Sequence, residues 1–140
     1  MPPRESLAKL SLALFAAVFS ALLIALLTGG GNPPPPEDEV RDVVTRFAAA
    51  SAEKDYQVIC DELLATTLVD NAEQYGLPCE VALKPGLDGV RAPKLTVKAI
   101  TVRGDRASAR VTTDAANQTP ATVTLALRRV ADEWRIAALG

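Results

Sequence analysis

Hydrophobic and polar positions follow three successive patterns along this chain. From Leu10 to Leu27 the residues are apolar or small and carry no charge. After residue 36 the apolar positions return every three or four residues, as in amphipathic helices, and beyond about residue 95 they alternate with polar ones, as in strands that bury one face. Helices followed by strands predict an α+β domain that closes with an antiparallel meander of about four strands.

The longest predicted helix runs from Glu37 to about Ala52. Its apolar residues fall on one face, and Pro36 followed by three acidic residues suits the first turn of a helix. Three shorter helical pieces are expected after it, each bounded by turn-forming residues. They are predicted around 58–64, over 67–74 and over 79–83, the last ended by Pro85-Gly86.

The strand pattern begins near Leu95 and slips by one residue near Ala99, which predicts a β-bulge in the first strand. Gly104-Asp105 is a tight-turn signal between the first two strands. The remaining predicted pieces are a loop from Ala115 to Pro120, a third strand around 123–127, a turn at Asp132-Glu133 and a closing strand at Trp134-Arg135-Ile136.

The first apolar run has the length and the charged flanks of a membrane-spanning helix. Arg4 and Lys9 precede it and the first charges after it are acidic, so the positive-inside rule places the N-terminus in the cytoplasm. The predicted organisation is a cytoplasmic N-terminus (1–9), a transmembrane anchor (10–28), a Gly/Pro linker (29–36) and an extracytoplasmic domain (37–140). The alternative is a signal segment cleaved near Thr28-Gly29-Gly30, which would release a secreted domain.

Charge is divided unevenly between the two halves of the predicted domain. Residues 37–90 hold 12 acidic and 4 basic side chains, whereas residues 91–140 hold 4 acidic and 9 basic ones. The resulting formal charge of −3 favours neither nucleic acid nor anionic lipid as a partner, so the bilayer is expected to be contacted through residues 10–28 alone. The imbalance is interpreted as solvated charges on packed helices and strands, and the alternative is a patch that steers a partner.

The only two cysteines, Cys60 and Cys79, form an even pair in a domain predicted to be exported. Such a pair is most simply a disulfide, because the exported compartment is oxidising. The chain has no histidine, and a site of two thiolates with Asp61 or a neighbouring glutamate would be unusual for zinc. We therefore expect neither a metal nor another cofactor.

Three polar residues of the helical part are candidates for lining a pocket. Tyr56 and Tyr75 carry phenols that can donate into a cavity, and a buried Asp61 would serve as a base. The simpler interpretation places the tyrosine rings in the core with their hydroxyls at the surface, and Asp61 on a solvated helix face. No set of residues forms a recognisable catalytic motif.

The order of these elements resembles the nuclear transport factor 2-like superfamily, which includes SnoaL-like and ketosteroid-isomerase-like domains. The resemblance spans residues 37–139, through the first helix, the hairpin around Gly104-Asp105 and the closing Trp134-Arg135-Ile136. It implies a cone of helices on a curved antiparallel sheet, with an apolar mouth. Cys60 and Cys79 are similar in position to those of small membrane-tethered or secreted members of actinobacterial type. The paired acids and oxyanion tyrosine of the isomerases have no matching position here.

These features favour a non-catalytic extracytoplasmic module that binds an apolar small molecule or a protein of the cell envelope. One alternative is an isomerase- or cyclase-type enzyme that uses the same pocket. Another is a structural or sensor domain without a ligand. The sequence sets no oligomeric state, and the fold alone does not choose among these functions.

Overall fold

Helical segments precede a four-stranded sheet in residues 31–140, the part of the chain that the computed structural model describes. The segments are α1 (Pro36–Glu53), α2 (Tyr56–Val58), a π-helical turn (Ile59–Leu63), α3 (Thr66–Gln74) and α4 (Cys79–Leu87), followed by β1 (Lys94–Arg103), β2 (Arg106–Ala115), β3 (Gln118–Val130) and β4 (Glu133–Leu139). This order confirms the predicted α+β class. The predicted cytoplasmic segment and anchor, residues 1–28, lie outside the described residues.

Residues 34–140 form one compact unit. Within residues 31–140, no helix combines the length and the apolar character that crossing a bilayer requires.

The sheet is an antiparallel meander with the strand order β1-β2-β3-β4. Its register shifts between Val97 and Ala99, which confirms the bulge predicted from the slip in the hydrophobic pattern. The two-residue turn at Gly104-Asp105 is also present, and Gly104 has a φ of 60° that favours glycine. Alternation along the strands gives the sheet one buried inner face and one exposed outer face.

Helix α1 packs on the inner face of the sheet and supplies much of the core. Pro35 and Pro36 precede three acidic residues of its first turn, and the helix ends at Lys54, whose φ of 57° is left-handed. The largest fully buried side chains come from α1, the π-helical turn and the sheet: Val40, Val44, Ile59, Leu63, Val111 and Ile136. Burial of each such side chain contributes about 1.5–3 kcal/mol.

The π-helical turn fastens the helices to the edge of the sheet. Leu64, directly after the turn, forms a parallel bridge with Ile136, and the Ala65 amide donates to the Ile136 carbonyl at 2.8 Å. Cys60 in this turn is bonded to Cys79 at the start of α4, as the sequence predicts, with the two Cα atoms 6.1 Å apart. Helix α4 is thereby held against the core by a covalent bond.

Three predicted element boundaries are wrong, the smallest error being the last turn, which lies at Ala131-Asp132 and not at Asp132-Glu133. Helix α4 does not stop before Pro85 but continues to Leu87, which packs against the core. Strand β3 begins at Gln118, so the predicted loop to Pro120 shortens to a two-residue turn. Proline is tolerated at residue 120 because β4 pairs only from Leu125 onward, which leaves the start of β3 as a sheet edge.

Candidate functional site

A cleft of about 210 Å³ opens between the last turns of α1, the connection from α4 to β1, and the end of the sheet where β2 turns into β3. We call it the inner cleft. Seven of its thirteen lining residues are apolar or glycine and six are polar or charged, the two charged ones being Lys94 and Asp114. Its lining residues include Ala48, Ser51, Leu87, Pro93, Leu95 and Thr113. This mixture is typical of small-molecule sites.

Ser51 is the one buried polar residue of the described core that lines this cleft. Its side chain is 8% exposed, and its hydroxyl oxygen has no hydrogen-bond partner among the described residues. Leaving a buried hydroxyl unpaired costs about 1–3 kcal/mol. A molecule in the inner cleft that offers a hydrogen-bonding group would recover that cost.

The helix geometry explains why Ser51 faces inward. Val43, Phe47 and Ser51 are spaced four residues apart and lie on the core-facing side of α1. Ser51 is not among the residues predicted from the sequence to line a site, because a serine near a helix end is ordinarily a solvated or capping residue. Its position in the apolar stripe of α1 was the available signal.

The wall of the inner cleft is fastened by Asn117, in the turn between β2 and β3. Its side-chain amide donates to the Gly89 carbonyl at 2.8 Å, and its side-chain oxygen accepts from the Arg91 amide at 3.0 Å. The Ala116 amide adds a bond to the Arg91 carbonyl at 2.9 Å. These bonds hold the β2–β3 turn against the segment that leads into β1, so this wall of the cleft is preformed.

The side chain of Tyr56 is hydrogen-bonded to Asp88, at the C-terminal end of α4. Its hydroxyl donates to the Asp88 carboxylate, and this hydrogen bond, with desolvation and the charge of Asp88, raises the pKa of Tyr56 above its usual 10.0. Lys54 Nζ also donates to the Asp88 carbonyl at 2.8 Å. The Tyr56 side chain thus links α2 to α4 and is not among the residues that line the inner cleft.

Tyr75 and Asp61 lie in two other places. Tyr75 is 86% exposed and lies at the rim of a separate apolar groove of about 290 Å³ between α3 and α4. Asp61 is exposed, and its backbone carbonyl accepts a hydrogen bond from Arg135 Nη1 at 2.7 Å. The structure therefore does not bring Tyr56, Tyr75 and Asp61 together at one site.

A third and wider cleft, of about 580 Å³, lies between the start of α1 and the β3–β4 turn and is rich in carboxylates. We call it the acidic cleft. Ion pairs join Arg46 to Glu62 and Arg135 to Glu133. Within residues 31–140, no three cysteine or acidic side chains are grouped so as to hold a metal ion.

The wall of the acidic cleft is held by a cluster around Trp134. The indole of Trp134 donates to Glu39 Oε2 at 3.0 Å, and the Arg129 guanidinium lies 3.5 Å from the same oxygen and 5.8 Å from the centre of a Trp134 ring. A carboxylate that accepts one hydrogen bond and pairs with a neighbouring cation is well stabilised. This cluster joins the first turn of α1 to the last two strands.

The described domain is similar to solved structures of the NTF2-like fold. One is an NTF2-like protein of unknown function from Shewanella baltica, with a TM-score of 0.55 and 18% identity, covering 76% of this chain and 93% of that one. Another is the de novo designed NTF2 fold protein NT-9, with a TM-score of 0.53 and 13% identity, covering 76% of this chain and 87% of the design. No family model and no curated protein matches the sequence. The chain has the NTF2-like fold, as the resemblance in its sequence implies.

Proposed function

We propose that the domain is a non-catalytic binding module, held outside the membrane by residues 10–28, that takes a small and mainly apolar molecule in the inner cleft. The observation that carries this proposal is the unpaired Ser51 hydroxyl, because it offers a hydrogen bond inside a partly apolar wall. The fold by itself hosts both enzymes and binding proteins, so the argument rests on this site.

The size of the inner cleft limits its ligand. At about 30 Å³ per water in the liquid, its 210 Å³ correspond to about seven waters. A single-ring compound with one hydroxyl or carbonyl suits this space, with the ring against Leu87 and Leu95 and the polar group at Ser51. A molecule of the size of a steroid exceeds the cleft.

The proposed location has two supports. Disulfides persist in oxidising compartments outside the cytoplasm, and Cys60 is bonded to Cys79. The apolar run before the linker carries the charge asymmetry of an anchor whose N-terminus is cytoplasmic. Membrane fractions washed with carbonate are expected to retain the full-length chain, and thiol alkylation in intact cells is expected to leave both cysteines unlabelled until a reductant is added. Recovery of a shorter, soluble chain would instead show cleavage.

Binding can be tested with two probes of equal heavy-atom count, benzyl alcohol and ethylbenzene. Titration of the isotope-labelled protein is expected to shift the amide resonances around Ser51, Leu95 and Thr113 saturably with benzyl alcohol. The affinity for ethylbenzene is expected to be several-fold lower, because it leaves the serine unpaired.

The variant Ser51→Ala supplies the control for this experiment. It is expected to lose the preference for benzyl alcohol, because the hydroxyl of that probe then has no partner, and to have a stability equal to or above that of the wild type, because the substitution removes an unsatisfied buried group. The variant Ser108→Ala, on the outer face of the sheet, is expected to keep the preference for benzyl alcohol. Shifts that spread over the surface without saturation, or a preference that survives in Ser51→Ala, would contradict the proposal.

A further inference from the structure

Four arginines form one straight row across the whole sheet. Arg103 is paired in register with Arg106, Arg106 with Arg128, and Arg128 with Arg135, so each of the four strands supplies one member. Residues directly opposite each other in an antiparallel sheet share a face, and the inward positions next to them are buried or half-buried. We call this set the arginine row, and it lies on the outer face.

Most of this positive charge is unpaired. Arg135 contacts Glu133 at 2.8 Å and the Asp61 carbonyl at 2.7 Å. In the described part of the chain, no carboxylate lies within 4.0 Å of the guanidinium groups of Arg103, Arg106 or Arg128. Like charges placed directly opposite each other in a sheet destabilise it. The row therefore works against folding, and a ligand of opposite charge would relieve the repulsion.

Beyond the row, the outer face carries mostly short side chains, together with one further arginine, Arg110 of β2, and an opposed pair at its far end, Lys94 and Asp114. Thr96, Thr112 and Thr122 form a second row in register, and Thr101 lies opposite Ser108. The depression beside Arg103 and Arg106 is shallow and open. Such a surface does not enclose a single small anion, and it suits an extended array of negative charges.

The position of the arginine row, near the point where the chain enters the domain, indicates which extended array of negative charges it meets. The β1–β2 and β3–β4 turns lie at the same end of the sheet as the arginine row. Pro34 lines the acidic cleft beside Asp132 and Arg135, so the chain enters the domain at this end. The preceding linker, residues 29–36, reaches at most about 28 Å when fully extended. A chain anchored through residues 10–28 would keep this end of the sheet close to the membrane surface.

We infer that the outer face of the sheet docks on anionic phospholipid headgroups through the arginine row. The net charge of −3 argued against such a partner in the sequence, but the fold separates the charges. Of the six carboxylates that line the acidic cleft, three belong to α1, which packs on the inner face, and two lie at the β3–β4 turn, whereas the arginine row faces outward. Docking would then fix the orientation of the domain relative to the membrane.

The experiment uses the full chain reconstituted in lipid nanodiscs, with a donor dye on Ala116→Cys and an acceptor on the lipid. Residue 116 is exposed in the β2–β3 turn, at the far end of the sheet, so it comes near the lipid when the sheet lies flat on the membrane and stays away from it when the sheet stands upright. Replacing phosphatidylcholine by a mixture with phosphatidylglycerol is expected to favour the docked orientation by about 100-fold, since each basic residue near an anionic surface adds about fivefold and three arginines of the row are unpaired. Energy transfer should rise accordingly and fall again near 1 M salt, where the Debye length is about 3 Å.

Two triple variants with equal net charge distinguish the arginine row from a general charge effect. Arg103→Gln/Arg106→Gln/Arg128→Gln is expected to show the same energy transfer in neutral and anionic discs. Arg41→Gln/Lys84→Gln/Arg91→Gln, which changes exposed residues elsewhere, is expected to respond as the wild type does. Equal energy transfer of the wild type in both lipids, or equal loss in both variants, would overturn the inference. Either result would leave probe binding in the inner cleft unaffected, so the two proposals fail separately.

Discussion

At the residue scale, several polar side chains hold elements of this domain together, whereas two buried polar atoms of residues 31–140, the Ser51 hydroxyl and Arg129 Nε, have no hydrogen-bond partner. The Tyr56 hydroxyl and the Asn117 amide are satisfied by groups far away in sequence, and each holds two segments together. The Ser51 hydroxyl is buried and unpaired in the described domain. Native proteins satisfy most of their buried polar groups, and of the two exceptions only Ser51 lines the inner cleft, so we assign recognition to Ser51.

The bond between Tyr56 and Asp88 makes one contribution to stability depend on pH. Because the pKa of Tyr56 is raised in the folded state, the contribution is complete below pH 10 and is lost as the pH rises through the raised value. Unfolding by urea, followed across this alkaline range, is expected to show a steeper loss of stability for the wild type than for Tyr56→Phe. The variant Tyr75→Phe, at an exposed position, is the control and should keep the wild-type profile. Identical profiles for wild type and Tyr56→Phe would contradict this role.

At the element scale, long-range contacts determine where several helices and strands end, and sequence patterns predict those boundaries poorly. The first helix, the β-bulge and the Gly104-Asp105 turn were predictable, because periodicity and turn chemistry are local properties. The extension of α4 past Pro85 was not predictable from the sequence. It depends on the packing of Leu87 against the core and on the hydrogen bonds that Asp88 accepts from Tyr56 and Lys54. The early start of β3 likewise depends on pairing with β2.

The disulfide is the strongest single link between elements, because it joins the π-helical turn to α4. Cys60 and Cys79 are 19 residues apart, and closing a loop of that length contributes about 3 kcal/mol in the chain-entropy model. The double variant Cys60→Ala/Cys79→Ala is expected to lose about that free energy of unfolding, measured in urea. The wild type under strong reductant should lose a similar amount. A loss below about 1 kcal/mol in both would show that packing alone holds α4 in place.

At the scale of the whole molecule, one core joins the helices to the sheet. Ile136 is at its centre: its side chain is fully buried and its backbone pairs with the segment after the π-helical turn. The two faces of the sheet have different roles, since the inner face is apolar and the outer face carries the arginine row. The candidate ligand cleft and the proposed membrane-facing surface are thus on opposite sides of one sheet.

Truncating Ile136 tests this view of the core. Ile136→Ala is expected to lower the free energy of unfolding by about 2–5 kcal/mol, because a cavity forms where helices and sheet meet. Val130→Ala, at a position 45% exposed near the end of β3, is expected to change it by about 0.5 kcal/mol or less. Chemical denaturation of both variants gives the comparison, and similar losses would contradict a core centred on Ile136.

The sequence by itself determined the order of helices and strands, the bulge, the cysteine pair and the resemblance to the NTF2-like fold. These features depend on hydrophobic periodicity, turn-forming residues and residue counts, which are properties of the sequence alone. Only the tertiary structure decided that Ser51 is buried without a partner, that Tyr56, Tyr75 and Asp61 lie apart, and that four arginines from four strands form one row. The physical reason is that these arrangements depend on strand register and helix packing, which bring together residues that are distant in sequence.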